Sequence, residues 1–192
     1  MKFKLLLIIS LGLVLASNSF SLVESVDGIR TISFNIGDIS LTEEEGHHKI
    51  NSNSKGYINE VGEPDMPTYA FNYAIDSDKE YEVQFNVLDY NIHNNINLIP
   101  SQDVNNESVF NKKTELYNSN LIYPELNLVS NRMSLRGYEL LGIQIIPFEY
   151  NFGTKTLKVF TSVEIIISEN GYRNNTNQTP GSEMFENMYK NI

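Results

Sequence analysis

The chain has 192 residues, with 24 acidic against 14 basic side chains, a net charge of -10 at pH 7 and no cysteine. A chain of that charge lacks the basic face that a phosphate backbone demands, so nucleic acid is not an expected partner. Without cysteine it offers no thiol nucleophile and no disulfide, and burial of apolar surface alone must hold its fold.

At the N-terminus, Met1-Lys2-Phe3-Lys4 is a short basic region, residues 5–16 form an apolar run broken by Ser10 and Gly12, and residues 17–21 are small and polar apart from Phe20. That order is the pattern of a secretory signal peptide. The run is shorter than the roughly 20 residues a membrane span needs, so removal rather than stable anchoring is expected. Cleavage fits after Ala16 or after Ser21, which places a secreted or extracytoplasmic domain at residues 22–172.

Next, residues 25–41 carry Ile29, Ile32, Phe34, Ile36, Ile39 and Leu41 in two strand-like groups that change phase near Gly37-Asp38, where a turn or bulge is expected. Residues 42–56 are polar and charged and read as an exposed loop. In Gly62-Glu63-Pro64-Asp65-Met66-Pro67 two prolines three apart impose an extended, rigid segment. It leads into Tyr69, Phe71, Tyr73 and Ile75 alternating with small or polar residues. Asp76-Ser77-Asp78 makes a turn, and Tyr81, Val83, Phe85 and Val87 alternate with Glu80, Glu82, Gln84 and Asn86, so the two runs are expected to pair as a hairpin. A further strand is expected over 90–100, and 101–119 read as a long surface loop with at most one helical turn, a length that is often functional.

Residues 137–168 organise the chain. Leu157, Val159, Thr161, Val163, Ile165 and Ile167 alternate with polar positions, the period of a half-buried strand. Residues 138–146 are apolar on both faces, as in a strand nearer the middle of a sheet. Between them, Asn151-Phe152-Gly153-Thr154-Lys155 offers a glycine able to take positive φ, which predicts a long hairpin. After Ser168 the composition is that of a linker, and Ser182 with Met184, Phe185, Met188 and Ile192 predicts a short C-terminal helix, so residues 173–192 are read as linker and helix. Eight or nine strands with almost no helix define an all-β, antiparallel β-sandwich, jelly-roll-like.

The run from Gly62 to Pro67 into an aromatic strand resembles the N-terminal propeptide of gingipain-type cysteine peptidases, which have a Gly-x-Pro-x-x-Pro segment there. Pro147-Phe148-Glu149-Tyr150-Asn151 followed by Lys155-Thr156-Leu157-Lys158-Val159-Phe160 is similar to that family's closing hairpin, with Phe152 where the family often has Pro and Phe160 where it often has Tyr. The resemblance implies an exported, non-catalytic domain that covers, helps to fold and inhibits a cysteine peptidase catalytic domain, in cis or in trans. It implies that a basic side chain on a loop occupies the specificity pocket, and that residues 173–192 lead toward a catalytic domain which this chain does not contain.

Lys112 and Lys113, in the long loop, are the candidates for that inhibitory role, since a lysine head in an acidic pocket forms a charge-assisted pair. The plainer reading is a solvated basic pair, and Arg132 or Arg136 is the competing choice. His47-His48 after Glu43-Glu44-Glu45 has metal-ligating residue types but the wrong spacing for one ion. Residues 76–80 lack the glycine and the bidentate glutamate of a calcium loop. His93 has no recognisable catalytic partner, and no cofactor motif occurs. The other functional class open to this chain is a free-standing secreted sandwich that binds carbohydrate or protein through exposed tyrosines.

Overall fold

The structure, a computed structural model, describes residues 19–54, 56–58, 60–103, 105, 109–135 and 138–173. In chain order the elements are β1 (Ser19–Val26), β2 (Ile29–Asn35), β3 (Ser40–Glu44), β4 (His47–Asn51), β5 (Gly56–Ile58), β6 (Met66–Ile75), β7 (Lys79–His93), α1 (Thr114–Tyr117), β8 (Ile122–Tyr123), β9 (Leu128–Leu135), β10 (Tyr138–Ile145), β11 (Phe148–Asn151) and β12 (Thr156–Tyr172). These are twelve strands and one helical turn, an all-β antiparallel sandwich as the periodicity predicts. The expected C-terminal helix lies outside the described residues.

A six-stranded front sheet is built on β12, whose 17 residues form its spine. One edge of β12 is shared between β2, at residues 162–168, and β11, at residues 156–159. The other edge is taken by β7. β1 lies outside β2 and β8 outside β11. The back sheet has the order β5-β6-β10-β9, and β3 with β4 makes a separate two-stranded ribbon.

The alternating apolar side chains of both sheets meet between them. Ile32 and Phe34 of β2 and Val163, Ile165 and Ile167 of β12 share one buried cluster with Tyr69 of β6 and Leu141, Ile143 and Ile145 of β10. Aromatic rings bridge the sheets: Phe34 stands 5.0 Å from Tyr69, and Phe20 stands 4.6 Å from Phe34 and 4.5 Å from Phe71. Burial of an aromatic ring contributes about 1.5–3 kcal/mol, so this contact is a main source of cohesion in a chain with no disulfide. β1 begins at Ser19, three residues before the expected start of the domain at 22.

The tertiary arrangement corrects several readings. Residues 137–168 do not form one hairpin. β10 lies in the back sheet between β6 and β9, and only the four residues of β11 pair back onto β12. The chain changes sheet at Ile146-Pro147, where Ile146 N–H donates to the Asn127 carbonyl at 2.8 Å. The Asn127 side-chain amide donates to the carbonyls of Ile146 and Phe148, at 2.9 and 2.8 Å, and so holds both sides of the corner. Proline has no N–H to continue a ladder, which makes it suited to that crossing.

Similarly, β6 and β7 do not pair with each other. The turn at 76–78 carries the chain from the back sheet to the front, and each strand turns its aromatic face to the core from opposite sides. Alternation is the same for a hairpin and for a sheet-to-sheet corner, so period alone cannot separate them. The strand expected over 90–100 is in part a continuation of β7, which ends at His93.

Residues 42–56 are not a plain loop. β3 and β4 pair with Glu44 opposite His47, and the two linking residues Glu45 and Gly46 both have positive φ, 50° and 76°. That combination is the demand of a two-residue hairpin turn of the mirror-image type. At the β11–β12 turn the residue in the left-handed region is Lys155, φ 52°, not Gly153. Gly153 is needed for closeness instead, because a Cβ there would overlap the Asn120 side-chain amide.

A candidate partner-binding loop

Beside the proline-rich segment, the chain ties a loop shut. Gly62 N–H donates to the Ser101 carbonyl at 2.8 Å, and Ser101 N–H donates to the Glu63 carbonyl at 2.7 Å. Gln102 then closes the neck: its side-chain oxygen accepts from Asn111 N–H at 2.8 Å, and its amide donates to the carbonyls of Asn111 and Pro100, at 2.9 and 2.8 Å. Surface loops whose ends are held this closely are frequently used for function. Val109 and Phe110, on its returning limb, are half-exposed.

Lys112 and Lys113 follow the neck directly. Lys113 N–H donates to the Gly62 carbonyl at 2.9 Å, and its ammonium reaches Glu60 at 2.8 Å and Glu63 at 2.6 Å. The hydrogen bonds that Lys113 donates to Glu60 and Glu63 raise its pKa, and Lys113 in turn lowers that of Glu60. The other oxygen of Glu63 accepts from the Tyr123 hydroxyl at 2.9 Å, and burial followed by this carboxylate pushes Tyr123 well above the ordinary phenol range. Gly62 has φ 87°, and a Cβ on it would sit 3.0 Å from the Lys113 nitrogen, so a glycine is required where the two segments cross.

Lys112 is held differently. Its ammonium lies 4.5 Å from the centre of the Tyr117 ring and 3.5 Å from His47 Nε2. An ammonium can only donate, so Nε2 of His47 is the acceptor and Nδ1 carries the proton, pointing at the Glu45 carbonyl 3.2 Å away. The His47 ring also stacks 5.3 Å from Phe110. α1 supplies Tyr117, which packs edge-on against Phe152 at 5.2 Å and so fixes the platform beneath Lys112. The β3–β4 ribbon, read from sequence as a loop, is therefore part of the wall of this site.

The remaining candidate residues fall elsewhere. Arg132 is spent internally, with Glu139 at 3.4 Å, the Lys79 carbonyl as a further acceptor and the Tyr81 ring 5.8 Å away. Arg136 lies outside the described residues. His48 accepts from Asn97 N–H at 3.1 Å and does not converge with His47. His93 ends β7 opposite Leu157, and 76–80 form the turn between sheets. Among the described residues no three His, Cys, Asp or Glu side chains are grouped to hold a metal ion. Of the exposed tyrosines Tyr57, Tyr90 and Tyr172, Tyr90 has the Lys158 ammonium 4.3 Å from its ring and Tyr172 has that of Lys79 at 4.9 Å.

The fold and the site describe an antiparallel sandwich that presents a tethered, lysine-bearing loop. The family model described as Propeptide_C25 matches residues 20–191, and the chain belongs to this family, the propeptide domains of gingipain-type cysteine peptidases. Gingipain R1 of Porphyromonas gingivalis is 23% identical over 184 residues, covering 89% of this chain and 19% of that protein, so the chain spans about a fifth of that relative. Of solved structures, the complex of Porphyromonas gingivalis RgpB pro- and mature domains aligns with a TM-score of 0.75 at 19% identity, over 90% of this chain and 95% of the other. A structure on the zymogenic latency of gingipain K from the same organism aligns with a TM-score of 0.66 at 17% identity, over 84% and 96%.

Proposed function

We propose that this chain is an exported propeptide domain that inhibits, and assists the folding of, a gingipain-type cysteine endopeptidase domain, which it binds in cis or in trans. The chain's membership of the propeptide family carries the reading. With no cysteine it cannot supply the peptidase nucleophile itself. The apolar N-terminal run, ending at Ala16, serves export to an extracytoplasmic space, residues 173–192 lead toward the catalytic domain, and no cofactor takes part.

Within the loop, Lys112 is the side chain that enters the peptidase's specificity pocket. Lys113 already has two carboxylate partners, whereas Lys112 has a ring and an imidazole, which compete weakly with an acidic pocket. The test is inhibition of the cognate catalytic domain by the separate chain. Lys112→Ala is expected to weaken inhibition by about 30-fold or more, the scale of an interface hot spot, with Lys113→Ala affecting it less. Undiminished inhibition by Lys112→Ala overturns the role of that side chain, and failure of the unaltered chain to inhibit overturns the function.

A further inference from the structure

We propose that the outer edge of β7 is a self-association surface, through which two copies of the chain join their front sheets into one continuous sheet. Among the described residues β7 pairs only with β12, so the backbone groups along its other edge have no strand partner. At 15 residues it is much the longest edge, though its own ladder to β12 is irregular at Asp89: β1 has 8 residues and a bulge at Leu22/Glu24, β9 has 8, β5 has 3 and β8 has 2. Long, apolar strand edges recruit another strand unless charge, proline or shortness blunts them.

Only half of β7 is blunted. Its first half alternates Glu80 and Glu82 with core-facing residues, while its second half exposes Leu88 (60%), Tyr90 (48%) and Ile92 (55%) with no proline and one charge, Asp89. That half is also self-complementary. When two copies pair antiparallel about Tyr90, Leu88 of each lies opposite Ile92 of the other, Asp89 lies opposite Asn91 and Val87 opposite His93. Centring on Asp89 instead would face two carboxylates, and centring on Asn91 would set Leu88 against Asn94. In the Tyr90-centred register Glu82 and Glu80 fall opposite positions 98 and 100, beyond the end of the partner strand, so the acidic halves do not oppose one another. A two-fold pairing of this kind uses one edge per copy and closes at two chains.

Sedimentation of the purified chain over roughly 1–500 µM, the range of a small interface, is expected to pass from one chain mass to two. Asn91→Asp places carboxylates opposite one another twice and is expected to weaken the dimer about 5- to 10-fold. Asn91→Lys places an ammonium opposite Asp89 twice and is expected to tighten it by a similar factor. Because Asn91 is exposed, both variants keep the fold, which their circular dichroism checks. One chain mass throughout the range overturns the proposal, and so does a dimer that the two variants do not shift in opposite directions. This surface is independent of inhibition by the lysine loop, and an Asn91 variant that changed inhibition but not self-association would assign the edge to the peptidase instead.

Discussion

Removing the carboxylate of Glu63 is the sharpest probe of how the lysine loop is held. Its two oxygens are divided between the Lys113 ammonium and the Tyr123 hydroxyl, at 2.6 and 2.9 Å, and its backbone carbonyl receives Ser101 N–H. A hydrogen bond to a charged acceptor contributes about 1.5–3 kcal/mol, and Glu63→Ala leaves the half-buried Tyr123 hydroxyl without it. The Lys113 contact adds little, because that ammonium is solvent-screened and keeps Glu60. With a urea slope of about 1–3 kcal/mol/M, the unfolding midpoint of Glu63→Ala should fall by about 1 M. A double-mutant cycle with Tyr123→Phe should return a coupling of about 1.5 kcal/mol or more. Glu60→Ala, which removes an exposed partner, should leave the midpoint in place. A coupling near zero, or a Glu60→Ala loss equal to that of Glu63→Ala, would refute the assignment of the hub to the Glu63–Tyr123 bond.

Two further outcomes follow from the same region and from the N-terminal strand. Burial raises the Asp65 pKa above its ordinary 3.8, with Lys49 opposing it weakly, so the folded state holds that proton more tightly than the unfolded chain. Its contribution is therefore full below about pH 3.8 and is lost as pH rises through the raised folded value. Asp65→Asn should gain stability relative to the parent between pH 3.5 and pH 7 in urea titrations, and an unchanged difference would contradict this. At the N-terminus, cleavage after Ser21 would delete Phe20, whose ring packs on Phe34 and Phe71. We expect N-terminal sequencing of the exported chain to place cleavage after Ala16, and a chain starting at Leu22 to be less stable by about 2–3 kcal/mol, below the full cost of a core Phe because Phe20 is only partly buried.

Composition, period and turn chemistry determined much of this protein without coordinates. The alternation in 157–167 and in 69–75 is set by the two-residue repeat of a strand, so strand identity and the inward face could be read locally, and Tyr69, Val163, Ile165 and Ile167 are buried as that repeat requires. The family resemblance rested likewise on short contiguous motifs, and the absence of cysteine excluded a thiol nucleophile. The tertiary structure decided which strands are neighbours. A strand entering a hairpin and one crossing to the opposite sheet bury the same alternate residues, so only long-range pairing separated β10 from β12 and β6 from β7. For the same reason the site was half legible. The basic pair Lys112-Lys113 stands out in sequence, but its different tethers, Glu60 and Glu63 for one and Tyr117 and His47 for the other, come from segments as much as 65 residues away. No local pattern records such a contact, because it exists only once the sheets have packed.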